Sequence, residues 1–446
     1  MKYQLNTMRI GRTLPPAAAP IYRRDILSGI NGLLNGRREL DRFETELKNY
    51  FGVQYCFLVS SGKAALSIIL QALNDIQPER DEVLIPAFTC YSVPSSIVRA
   101  SLKVKLCDID PNTLDFDFNQ LSEILSQRSP AKGPNKPNKP NGSNRHGRVE
   151  RLDQLHRLDE RSNRLLAIIP THLFGLPSDI ERLRNLIDDP EIIIVEDAAQ
   201  TMGGEWKGKK LGTMGDVSFF SLGRGKALST LEGGIILTDR ADIADKIALR
   251  IHTLPNYGIT SLTILVIKSA LLSIFLHPSL FWLPKALPFL KLGETIYDPH
   301  FKIKKMTPFQ AGLAKDWLYK IRRFKECRSV NIRQWALATK TNHLCNYVSQ
   351  NGRQPDLLRF PVRVGNTLLR KRILIESESR GLGIMTTFPD SVDGIQALGK
   401  IMKLGKSPVA KELAGKLITL PVHPFLTGSD KRRIEVMVSQ ISDWKG

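Results

Sequence analysis

From about residue 50 to residue 237 the sequence alternates short apolar runs with stretches of helical periodicity, and polar residues keep falling where the apolar runs stop. A short apolar run can be buried on both faces of a parallel strand, and the helix after it covers one of them. The alternation therefore predicts a doubly wound α/β layer with a mostly parallel central sheet. The runs are YCFLV (55–59), EVLIP (82–86), KVKLCDID (103–110), LLAIIPTHLFG (165–175), EIIIVEDAAQ (191–200), VSFFSL (217–222) and GGIILTD (233–239). Open sheets of this kind hold ligands beyond the C-terminal ends of their strands. With 446 residues there is room for more than this layer. A second, smaller α/β unit is expected over 331–446, with strands at LLRFPVRV (357–364) and KLITLPV (416–422). An N-terminal arm (1–37) precedes a large domain (38–330).

Two insertions interrupt the large domain. Residues 129–163 are rich in Pro, Asn and Gly, too poor in apolar residues to form a core, and read as a solvated, disordered segment. Between Arg128 and Arg164 ten Lys or Arg stand against four Asp or Glu, which explains six of the net +20. The remaining excess favours anionic ligands, phosphates, nucleotides and acidic lipids among them. The second insertion, 259–293, is strongly apolar but carries Lys268, Pro278 and Pro284. It can form buried or interfacial helices in a soluble dimer, a helix pair lying in a membrane surface, or a span. The five scattered cysteines never take a CxxC-type spacing, so no metal is expected and the reducing cytoplasm is the expected location. The first twenty residues lack the apolar core of a secretory signal, and no cleaved targeting peptide is expected.

Four groups of residues carry chemistry. Asp197 ends an apolar run, so its carboxylate projects into the crevice, where it could hold a protonated pyridine nitrogen or cap a helix over AAQTMGG. Lys226 lies in the Gly-flanked SLGRGKALSTLEGG, five residues after Ser221, whose hydroxyl can bind a phosphate. A lysine that forms a Schiff base needs a lowered pKa and a fixed position, whereas an ordinary lysine is solvated surface. Ser60-Ser61-Gly62-Lys63 sits at a strand-to-helix turn whose free N–H groups favour an anion, although most such turns bind nothing. The turn AFTCYS places Phe88, Cys90 and Tyr91 near the same edge, as flat neighbours for a planar cofactor or as core.

The order SSGKAAL, IPAFTC, IPTHLFGLPSDI, VEDAAQTMGG, GDVSFFSLGRGKALSTLEGG resembles the DegT/StrS-type sugar aminotransferases of PLP fold type I, from about Arg38 to His252 and again at RFPVRV and ITLPVHP. The resemblance implies that Lys226 carries pyridoxal 5'-phosphate (PLP), that Asp197 holds the pyridine nitrogen and that Gln200 lies beside the ring hydroxyl. Ser221 and the Ser61-Gly62-Lys63 turn would hold the phosphate, and His172 would lie near the site. Lys63 replaces a usual Thr, Cys90 stands where many members stack an aromatic, and Arg224-Gly225-Lys226 replaces PTK. Some dehydratases of the family have His in place of the lysine, so Lys226 favours amino transfer.

The resemblance implies an amino donor, L-glutamate, a keto sugar that is nucleotide-linked, and a homodimer with a shared site to which Arg250 and His252 are candidates to contribute. Two other functions compete. A catalytically inactive assembly component would use 259–293 for peripheral contact with the inner membrane surface, but would not need Asp197, Ser221 and Lys226 together. A DNA-binding regulator has no helix-turn-helix or zinc module to support it, so no nucleic-acid partner is expected.

Overall fold

The computed structural model describes residues 9–127, 164–287, 295–339 and 355–442. The basic insertion expected at 129–163 lies outside them, as does the end of the apolar insertion. The seven expected runs form one sheet: β1 (Tyr55–Val59), β2 (Glu82–Pro86), β3 (Lys103–Cys107), β4 (Leu165–Ile168), β5 (Ile193–Asp197), β8 (Val217–Ser221) and β9 (Gly234–Thr238). The short strands β6 (Glu205–Trp206) and β7 (Lys209–Lys210) form a separate hairpin. The sheet order is β1-β9-β8-β5-β4-β2-β3. Every neighbouring pair is parallel except those of β9, which runs antiparallel to both β1 and β8. Six strands therefore deliver their C-terminal ends to one edge.

Helix Gly62–Ile76 shows why the layer closes. Ala64, Ala65, Leu66, Ile68, Ile69, Leu70, Ala72 and Leu73 are all buried, so it is apolar nearly all round and sits under other helices as well as on the sheet. The smaller unit is built on β10 (Arg359–Arg363) and β11 (Leu417–Pro421), an antiparallel pair. Helix Trp317–Ala338 joins the two units. Trp317 and Ile321 pack into the core of the large layer with Phe43 and Phe220, while Trp335 donates from Nε1 to the Pro421 carbonyl (2.9 Å) and Asn331 from Nδ2 to that of Val422 (2.9 Å).

Among the described residues the apolar insertion forms one 17-residue helix, Ile259–Phe275, followed by a single turn, Trp282–Lys285. At 1.5 Å per residue the helix is about 26 Å long. No helix among the described residues is long and apolar enough to cross a membrane. Leu265 packs under it against Ile21, Phe309 and Leu313, but Ile264, Ile267, Leu271 and Ile274 are exposed.

The N-terminal segment is tied to the smaller unit. Arg12 forks onto Asp430 (2.6 Å), Leu14 N–H donates to the Gly381 carbonyl (2.9 Å), and the buried His423 donates from Nε2 to the Pro15 carbonyl (2.7 Å). Because Phe425 N–H donates to Nδ1 of His423, the ring proton must sit on Nε2. Burial pulls the His423 pKa from its ordinary 6.5 to about 4. Between those values the unfolded chain binds the extra proton and the folded chain does not. The resulting stability is complete above pH 6.5 and is lost as pH falls toward 4. Urea unfolding of the wild-type protein should lose on the order of 3 kcal/mol over that window, and His423→Gln should show a flatter pH dependence.

Candidate active site

Lys226 is carried by the loop that turns β8 back into β9. Leu222 N–H donates to the Gly233 carbonyl (2.8 Å), Thr230 N–H to that of Leu222 (2.9 Å), and Lys226 N–H to that of Gly223 (3.3 Å). Gly225, at φ +72, supplies the left-handed turn before the lysine. The half-buried Lys226 side chain faces a cavity of about 310 Å³, with Cys90, Gln200, Phe174 and Arg359 on its walls. Pro15, Pro16 and Ala17 of the N-terminal segment close one part of the cavity, and Leu272, Leu276 and Phe281 of the apolar insertion close another. Burial lowers the Lys226 pKa, and the nearby Arg359 guanidinium lowers it further, against the pull of Cys90 and Asp197.

Asp197 and Glu196 are consecutive and buried, and strand alternation sends them opposite ways. Glu196 accepts from His172 Nε2 (2.7 Å), from Met214 N–H (2.8 Å) and Gly215 N–H (3.0 Å), and from Gly212 N–H. Burial alone would raise its pKa, but these donors bring it below the ordinary value. Ser178 N–H donates to His172 Nδ1 (2.9 Å), so His172 is a neutral donor fixed behind the cavity. Asp197 is less well satisfied, with Ala199 N–H (3.1 Å) as its side chain's hydrogen-bond partner among the described residues. Burial raises its pKa, opposed mainly by the charge of Lys226.

A second cluster forms where β1 meets its helix. Ser61 caps helix Gly62–Ile76, its Oγ accepting from Ala64 N–H (3.1 Å). A Cβ on Gly62 would lie 2.8 Å from the Ser221 Cβ, and one on Gly234 would lie 2.2 Å from the Ser61 carbonyl oxygen. The missing side chains thus bring the helix N-terminus and Ser221 into contact. Lys63 turns to the Phe301 ring, 4.6 Å from its centroid.

Four other residues stand apart from the cavity. Tyr91 is buried and donates to the Asp390 carbonyl (3.1 Å), leaving Cys90 as the turn's cavity residue. Phe88 packs edge-on against Phe388, a wall residue, with ring centroids 5.1 Å apart. Arg250 forks onto Asp75 (2.6 and 2.8 Å) and His252 is exposed, so neither reaches this cavity. Sequence reasoning missed Arg359, Phe174 and Glu196. Phe174 adopts φ +60, unusual for a non-glycine residue, beside Gly175 at φ +101.

The sequence profile of the DegT/DnrJ/EryC1/StrS aminotransferase family matches residues 26–137 and 152–439. The chain belongs to this family. GDP-perosamine synthase of Vibrio cholerae is 28% identical over 222 residues, 50% of this chain and 49% of that protein. The chain spans about half the length of the curated relatives it matches. Among solved structures, Helicobacter pylori PseC, an aminotransferase involved in pseudoaminic acid biosynthesis, shares the fold at TM-score 0.71 and 15% identity, covering 97% of this chain and 100% of that one. E. coli GDP-4-keto-6-deoxy-D-mannose-3-dehydratase, described with bound hydrated PLP, superposes at TM-score 0.69 and 18% identity, covering 96% and 100%. The shared fold is that of PLP fold type I enzymes.

PLP is the cofactor of this DegT/StrS family, and the residues here fit it. A buried carboxylate short of partners suits a protonated pyridine nitrogen, and the glycine-lined turn beside Ser221 suits a phosphate. Gly62→Ala should force Ser221 away, destabilise the fold by about 1–3 kcal/mol and weaken PLP binding. Gly399→Ala, with open space around its Cβ, is the neutral control. Thermal unfolding and PLP titration of both variants check this.

Proposed function

We propose that the chain is a PLP-dependent aminotransferase that moves an amino group from L-glutamate to a nucleotide-linked keto sugar for polysaccharide or glycoconjugate synthesis. The observation that carries this reading is the pairing of Lys226 with Asp197 at one sheet edge, each pushed by burial toward its uncharged form. When bound, PLP supplies an electron sink for the bonds around the donor Cα. Asp197 would hold the ring nitrogen, Gln200 would face the ring from the cavity wall, and Ser61, Gly62 and Ser221 would hold the phosphate, with Lys63 adding positive charge nearby. Lys226, with its lowered pKa, can accept the proton of the donor Cα and return one on the other side of the transfer. His172 holds the wall behind Asp197. The names of the relatives, GDP-perosamine synthase among them, and the net charge of +20 support a nucleotide-linked acceptor.

We assign the exposed apolar face to a second copy of the chain. Helix Arg23–Asn35, which exposes Leu27, Ile30 and Leu34, touches the apolar helix, which exposes Ile264, Ile267, Leu271 and Ile274, and Leu272 of that helix and Leu276 just after it line the cavity. A partner seated there would bury the face and complete the site. The exposed Lys268 within this face favours a second reading, contact with acidic lipid headgroups at the inner membrane surface. A cytoplasmic location accords with the free thiols of Cys56, Cys90, Cys107 and Cys327.

Protein loaded with PLP should absorb above roughly 400 nm, as lysine-bound PLP does, and Lys226→Ala should abolish the band. An unchanged spectrum would overturn the assignment. In sedimentation, the wild-type chain should be a dimer and Ile267→Glu with Leu271→Glu a monomer of reduced amino-transfer activity. A wild-type monomer that floats with anionic vesicles would place the face on a membrane instead.

A further inference from the structure

The loop that carries Lys226 holds a leucine where its backbone favours glycine. Leu231 takes φ +70, the left-handed region that strains any residue with a Cβ. Glycine would make the same turn without strain, so contacts of the leucine side chain must offset it. Those contacts are with the cluster of Ile21, Leu265, Phe309 and Leu313. Leu265 is the inward residue of the apolar helix Ile259–Phe275, and Phe309 and Leu313 belong to helix Pro308–Leu313.

The next residue, Glu232, is tied to the same elements. Tyr257, just before the apolar helix, donates to its carboxylate, and Gln310 donates from Nε2 to its carbonyl (2.7 Å). Leu231 N–H donates to Ser229 Oγ (3.2 Å), and Ser229 lines the cavity beside Lys226, as does Leu272 of the apolar helix. Ala227 and Leu228, packed into the core with Phe220, hold the loop from the sheet side. The stretch from Lys226 to Glu232 is therefore pinned at both ends, to the sheet by one and to the apolar insertion by the other.

We propose that Leu231 is a positioning residue that passes the seating of the apolar helix to the Lys226 loop, so that the insertion helps set how deeply the lysine is buried. This role presupposes Lys226 as the reacting lysine. The charged or ionisable groups that bear on Lys226 are Cys90, Asp197 and Arg359, and none of them belongs to the loop or to the apolar helix. A change at Leu231 thus acts on Lys226 through burial and not through a lost ion pair.

The test labels the full chain, stripped of PLP, with acetic anhydride across a pH series and reads Lys226 by mass spectrometry. Hydrogen exchange of residues 222–233 is followed alongside. In the wild type, burial should keep the labelling midpoint of Lys226 below the ordinary lysine value. Leu231→Ala should move that midpoint upward and speed exchange of the loop roughly tenfold. Leu265→Ala should do the same from the helix side, and the two together should do no more than either alone. Leu231→Met, which keeps the contact, should match the wild type. Leu231→Gly relieves the strain and loses the contact, so its midpoint should rise even where its thermal stability does not fall. Unmoved midpoints in Leu231→Ala and Leu231→Gly, additive effects of the pair, or a shift in Leu231→Met equal to that in Leu231→Ala would overturn the proposal. Because the labelling needs no PLP, the two readings fail separately. Midpoints that move in a chain that never forms the band above roughly 400 nm keep the positioning role and remove the aminotransferase. A band that forms while the midpoints stay fixed does the reverse.

Discussion

The buried carboxylate of Glu196 organises the site without lining it. Its four donors come from two turns: His172 from the one after β4, and the N–H groups of Gly212, Met214 and Gly215 from the one before β8. Because these bonds fix the end of β5, the next residue, Asp197, has one direction open to it. The His172 ring also holds Ser178, which sets the turn containing Phe174, and the Phe174 carbonyl in turn receives Leu358 N–H beside Arg359. A single satisfied charge inside the sheet edge therefore determines where the anionic and one cationic group of the cavity stand. Low local dielectric makes each bond in that network stronger, and any missing donor more costly.

The large layer was legible because its strands are short, apolar and separated by helical periodicity, and because parallel strands send successive C-terminal ends to one edge. Lys226, Asp197 and Ser221 could be picked out for that reason. The antiparallel course of β9 could not, since GGIILTD looks the same in either direction and only the return of the 222–233 loop reverses it. Arg359 escaped notice because the alternation in RFPVRV offers two arginines, Arg359 and Arg363, with no local sign of which one meets a cavity built by residues far away in sequence. Tyr91 and Cys90 were inseparable for a similar reason. They are neighbours in one turn, and the start of helix Ser92–Arg99 decides that the phenol goes to Asp390 while the thiol faces the cavity.

The apolar insertion illustrates a limit of hydropathy as a guide. Its composition is compatible with a bilayer, an interface or a core, and the pattern of burial divides its single helix among tasks: Leu265 packs inward, Leu272 lines the cavity, and Ile264, Ile267 and Leu271 face outward. The excess positive charge is likewise divided. Part of it lies in the insertion between Arg128 and Arg164, whereas Lys226 and Arg359 line a cavity where water screens charge little.

The contact between His423 and Pro15 sets an order of events during synthesis. The central sheet is complete once residue 238 has been made, and Lys226 is by then already in its loop. The segment before Pro15, Pro16 and Ala17 is first held by Pro278 and Gly381, and the wall gains its last anchor only when His423 leaves the ribosome, nearly two hundred residues after the sheet is made. A growing chain thus carries Lys226 in a cavity whose N-terminal wall is still incomplete for much of translation.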